Sequence, residues 1–110
     1  MNWIELTETE QINAINLESI NNPDKSFVIF KHSTRCSTSR LALRMFEAQW
    51  TNSIPAYLIN VVEHRQVSNK TAADYEILHE SPQVLVIKNG ECIYNASHSY
   101  IDAQSVINFL

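Results

Sequence analysis

The sequence predicts an α/β fold: a mixed sheet of about four strands, the last two an antiparallel hairpin, flanked by helices. Three observations lead there. Segments with helical and strand periods alternate along the chain, which demands parallel crossovers between the early strands. Asn89-Gly90 separates two β-rich runs, the residue pair that best suits a two-residue type I′ turn, because both central positions need positive φ. And 110 residues, 45% of them hydrophobic with one Gly and three Pro, leave room for one domain over 1–110 with a modest core and show no linker or repeat.

Each element has its own signal. Trp3-Ile4-Glu5-Leu6 reads as a short extended segment or a helix lead-in, and Thr7 with Glu10 forms a capping-box pattern for a helix to about Ile20, stopped by Asn21-Asn22-Pro23-Asp24. Ser26 to His32 has the continuous apolar character of a buried strand. From Cys36 to about Trp50 the residues Leu43, Phe46 and Trp50 recur at helical spacing, with Ala42 and Met45 beside them. Ala56 to Val61 is a second β-rich run, and Ser68 to Leu78 reads as a helix with a thinner apolar face. After Ser81-Pro82 come the hairpin strands Gln83 to Lys88 and Glu91 to Asn95. Ser99-x-x-Asp102 then caps a closing helix, with Ala103, Val106, Ile107 and Leu110 on one face. A mixed sheet covered in this order is the thioredoxin-like plan. Such sheets collect ligands at the strand C-terminal edge, and Cys36 falls there.

Cys36 stands where Phe27-Val28-Ile29-Phe30 gives way to a helix. A helix start offers unpaired backbone N–H groups and the positive end of the macrodipole, and both favour thiolate over thiol. Three residues on is Ser39, not a second cysteine, so the site cannot close its own disulfide. Single-thiol exchange remains: Cys36 attacks a mixed disulfide, takes up the small thiol and needs another thiol to regenerate it. Ser39 either hydrogen-bonds the thiolate or is an ordinary first-turn serine. Lys25, Lys31, Arg35, Arg40 and Arg44 are five of the eight Lys and Arg residues and lie in a stretch without Asp or Glu, although the chain carries −4 overall. Arg40 in a first turn opposes the macrodipole, which makes sense if it attracts a carboxylate-bearing thiol; the alternative is a solvated helix face shared with Arg44.

Lys31-His32-Ser33-Thr34-Arg35-Cys36-Ser37-Thr38-Ser39, with Ser81-Pro82-Gln83 and Ala96-Ser97-His98, resembles the YtxJ-type monothiol bacilliredoxins over nearly the whole chain. Ser37 departs from the family pattern, where Pro is expected, and leaves one more N–H beside the thiol. The resemblance implies a thioredoxin-like fold and removal of bacillithiol from client proteins that carry it as a mixed disulfide. It implies Cys36 as nucleophile and a cis Ser81-Pro82 bond facing the thiol. Arg35, Ser37 and Ser39 are then expected to stabilise the thiolate. His32, Thr34, Arg40, Ser81, Pro82 and His98 are expected along the thiol-ligand groove, with bacillithiol or a similar small thiol as co-substrate and no bound cofactor.

Other readings compete or drop away. The acidic balance argues against nucleic acid as a partner, and no run approaches membrane-spanning length. Two cysteines without a charged-then-apolar leader point to a reducing cytoplasm. His32, His64, His79 and His98 share no ligand spacing, so no metal site is expected. Cys92 is read as a small buried hydrophobe, with a resolving thiol as the alternative. Functional alternatives are a thioredoxin-like adaptor whose thiol is incidental and an iron–sulfur carrier of the monothiol glutaredoxin type, although that family's Cys-Gly-Phe-Ser is absent. An arsenate reductase-like role comes last.

Overall fold

The computed structural model describes residues 1–110. Its elements are β1 (Trp3–Glu5), α1 (Thr9–Asn21), β2 (Ser26–His32), α2 (Ser37–Gln49), β3 (Ala56–Asn60), α3 (Arg65–Asp74), β4 (Gln83–Lys88), β5 (Glu91–Ser97) and α4 (Ala103–Ile107), with a 3₁₀ turn at His98–Tyr100. One five-stranded sheet has the order β1-β3-β2-β4-β5. β1 and β2 flank β3 in parallel, while β4 runs antiparallel to β2 and β5 to β4.

The fifth strand is the short N-terminal segment. Three residues give too little alternation to separate strand from lead-in, and the partner that decides it, β3, lies more than fifty positions away. Trp3 holds the strand in place: its ring stacks on Phe46 and meets Phe30 edge-on, and its indole N–H donates to Glu47 at 2.7 Å. A half-buried aromatic with its polar end satisfied is a strong anchor.

Alternation along β2 divides the core into two layers. Phe27 and Ile29 join Ile12, Ile15 and Val67 on the side of α1 and α3, whereas Val28 and Phe30 join Phe46, Ala103 and Val106 under α2 and α4. Because the central strand is covered on both faces, it reads as an unbroken apolar run. The same alternation sends its last two side chains to opposite faces, Lys31 toward α3 and His32 toward α2.

Several boundaries move. Helix α1 starts at Thr9 rather than at the Thr7 cap, because Gln11 and not Glu10 closes the box: Gln11 Oε1 accepts from the N–H groups of Thr7 and Glu8 at 2.7 and 2.9 Å. Helix α3 spans 65–74 rather than 68–78. Asn60 Oδ1 accepts from the N–H groups of Val62 and Glu63, winding the chain early, and Glu76 takes φ of 54°, which ends the helix. The closing helix is capped by Asp102, which accepts from Ser105 N at 2.9 Å, while Ser99 sits in the 3₁₀ turn. Strand β5 runs to Ser97, two residues past the expected end, with a bulge at the Val86–Ile87 step. The hairpin turn is as expected, with φ of 51° at Asn89 and 77° at Gly90. A Cβ on Gly90 would lie 2.9 Å from Ile20 Cγ1, so the turn also packs on α1.

Candidate functional site

Cys36 is the N-cap of α2, reached from β2 through a turn in which its N–H donates to Ser33 O at 3.3 Å. It is partly exposed and unpaired. Its thiol is held below the ordinary value of 9.0, first by the Ser39 backbone N–H, then by the N–H and hydroxyl of Thr38 and the Arg40 guanidinium, against the opposing pull of desolvation. The cause is the one a helix N-terminus supplies: donors with no intrahelical acceptor, facing the cap residue.

The thiol opens into a shallow cleft of about 390 Å³. The β2–α2 turn contributes Arg35 beside Cys36, the stretch after β3 contributes Val61 and Val62, and Arg65 and Ser81 complete the lining. That volume suits a small molecule. The Ser81-Pro82 bond is cis. Pro82 is buried, and its carbonyl accepts from His98 N–H at 3.0 Å, which ties the strand β4 entry to the 3₁₀ turn.

Of the two readings of Ser39, the hydroxyl takes neither a bond to the thiol nor an exposed place in the first turn. Its Oγ lies 2.8 Å from His32 Nδ1 and accepts from Ser33 N–H at 2.9 Å, so the side chain is fully buried and spent on the loop. Only its backbone N–H acts on the thiol. His32 is buried behind the site, and its pKa is lowered by desolvation and then by Arg40, against the opposing effect of Glu47. Arg40 Nη1 donates to Thr34 O at 3.1 Å, closing the loop over the cap. Thr34, Ser37 and His98 are exposed.

Cys92 is at the other end of the sheet. It pairs with Ile87, which pairs with Phe27, and five residue steps along β2 lead from Phe27 to His32, about 16 Å at strand rise. A disulfide needs Cα atoms within about 7 Å. Cys92 is therefore no resolving thiol for Cys36 in this fold; it packs against the core and its Sγ meets Tyr94 O at 3.3 Å.

Two features of the site escape sequence reading. Arg65 is one, because nothing local to α3 says that its first residue faces Cys36. Lys31 is the other: it counts as one more cation in the basic stretch, yet it is fully buried, with Nζ donating to Ser68 O at 3.0 Å. Desolvation and then Arg65 lower its pKa to about 8. Ser68 Oγ is in turn 2.8 Å from His79 Nε2, whose own pKa is lowered by desolvation and then by Lys31 and Arg65.

A thiol at a helix cap, sharing a cleft with the serine that precedes a cis-proline, on a mixed five-stranded sheet, defines a thioredoxin-fold thiol redox protein. Solved structures agree on the fold. A protein described as having a thioredoxin fold is 27% identical, covering 96% of this chain and 90% of its own, with a TM-score of 0.82. Schistosoma mansoni thioredoxin, reduced pre-protein, is 21% identical, covering 99% and 95% at a TM-score of 0.69, and Fasciola hepatica thioredoxin is 16% identical, covering 96% and 93% at 0.67. The family of monothiol bacilliredoxin BrxC matches residues 4–106, and the chain belongs to that family.

Proposed function

We propose that this protein removes a low-molecular-weight thiol, bacillithiol, from mixed disulfides on client proteins by single-cysteine exchange. The observation that carries the reading is a lone activated thiol, Cys36, in an open cleft, with Cys92 out of reach. The Cys36 thiolate bonds to the small-thiol sulfur, the client S–S bond breaks, and the client sulfur leaves with the electron pair and takes a proton from water. Cys36 then carries the adduct until a second small thiol displaces it. The small thiol is a co-substrate, and the cycle uses no resident cofactor. Two unpaired cysteines suit a reducing cytoplasm.

In this reading Arg40 and the Ser39 and Thr38 amides hold the thiolate, and Arg35 and Ser81 border the adduct. The test is a bacillithiolated client incubated with stoichiometric protein. Client thiol is expected to appear as Cys36 gains the mass of one bacillithiol. Equal client release by Cys36→Ser overturns the reading and leaves the adaptor alternative.

A further inference from the structure

The carboxylate contacts of the molecule's basic side chains are Lys25 with Glu18, Lys70 with Asp74 and the His64 ring with Glu63. None of its four arginines therefore has a carboxylate oxygen within 4.0 Å. Two of them, Arg35 and Arg65, are exposed and share the cleft with Cys36, and neither guanidinium hydrogen-bonds to the protein. Arg65 is a costly choice where it stands. It is the first residue of α3, where a cation opposes the macrodipole, and it lies close enough to the buried Lys31 ammonium to disfavour its charge. Lys31 has no carboxylate partner either; its one bond is to a neutral carbonyl. Two guanidinium groups thus line one small cleft, with the Lys31 ammonium near enough to Arg65 to be disfavoured by it, and none of the three has a carboxylate oxygen within 4.0 Å, although Glu8, Glu10 and Glu63 line an adjacent cleft with Arg65. A local arrangement that lowers stability without internal compensation marks a place where something else supplies the missing charge.

We infer that Arg65, which lines the cleft together with Arg35, selects carboxylate-bearing thiol adducts, so that Cys36 exchanges with anionic small-thiol disulfides in preference to neutral ones. The inference rests on the single-thiol exchange proposed above and adds a specificity residue from outside the Cys36 motif. A carboxylate bound between the two guanidinium groups accepts charge-assisted hydrogen bonds, bidentate where its plane matches the fork, and relieves the repulsion between Arg65 and Lys31. The sulfur chemistry is unchanged: the adduct passes from one sulfur to another with no net oxidation.

The experiment compares two adducts on one reporter thiol, 2-mercaptosuccinate with two carboxylates and 2-mercaptoethanol with none, and reads the ratio of their exchange rates with reduced protein. The ratio cancels changes in thiol reactivity common to both adducts. The native protein is expected to favour the anionic adduct by roughly fivefold or more at low salt, falling as salt screens the cleft. Arg65→Gln is expected to bring the ratio near one, and Arg65→Lys to retain part of the preference. Lys70→Gln removes one positive charge from the same helix away from the cleft and is expected to leave the ratio as it is. An unchanged ratio in Arg65→Gln overturns the inference while leaving single-thiol exchange intact. Exchange with neither adduct by the native protein overturns both, and an equal fall in Lys70→Gln assigns the preference to net charge and overturns the role of Arg65.

Discussion

Cys36 and Cys92 carry the same side chain on the same sheet, and the fold treats them in opposite ways. Cys36 caps a helix at the open end, where backbone N–H groups and Arg40 hold its thiol below the ordinary value. Cys92 lies against the core at the hairpin end, where desolvation raises it, although hydrogen bonds from the Tyr94 and Val86 backbone and Asn95 pull the other way. At the first site orphan donors outweigh desolvation; at the second, desolvation outweighs the donors. The direction in which each thiol shifts thus follows from its setting, a helix cap with unpaired donors at one end of the sheet and a desolvated place against the core at the other.

The widest gap between the two is expected in exchange itself. Cys36→Ser should lower release of a thiolated client by more than about a hundredfold, while Cys92→Ser stays within about twofold, as read by client thiol appearance; comparable losses would erase the contrast. Next, alkylation by iodoacetamide followed by mass spectrometry should label Cys36 at pH 7 about tenfold or more faster than Cys92, with the rate at Cys36 levelling off below pH 9. Equal labelling would show that desolvation matters as much at the open end as at the hairpin end.

Smaller effects probe what supports the open end. Ser39→Ala leaves the Ser33 N–H without its acceptor and should cost about 1–3 kcal/mol in denaturant unfolding. The alkylation profile of Cys36 should hardly move, because the Ser39 amide survives the change. Lys31→Met should raise stability at pH 7 by about 1–2 kcal/mol, since it removes a buried cation. The sign follows from linkage: with its pKa at about 8 when folded and 10.5 when unfolded, Lys31 binds more protons in the unfolded chain between those values. Native stability should therefore gain from Lys31 as pH rises from about 8 to 10.5, and the Met variant should lose that gain.

Local signals carried most of the fold. The apolar run of β2, the Asn89-Gly90 turn and the Phe46 and Trp50 spacing of α2 each concern neighbours a few residues apart, and the structure contains all three. Strand β1 and the start of α3 depend on partners distant in sequence or on one Asn60 side chain, so periodicity gave no hold on them. The site divides in the same way. Cys36 at its helix start was legible, because a cap is a local object. Arg65 was not, since its approach to Cys36 exists only after β3 and α3 pack, and the burial of Lys31 was hidden in a run that looked simply basic. The place of the Ser39 hydroxyl stays open in the sequence because spacing sets the helix turn and not the direction of Oγ.

The bonds of Ser39 carry one more consequence. A serine three places beyond a reactive cysteine invites the view that it is the remnant of a dithiol pair, ready to be restored by one substitution. Here the hydroxyl bridges an imidazole and a main-chain amide, and sulfur, longer and a poorer acceptor, would loosen both. Making a two-thiol catalyst of this chain would mean rebuilding the floor of the loop as well as changing position 39.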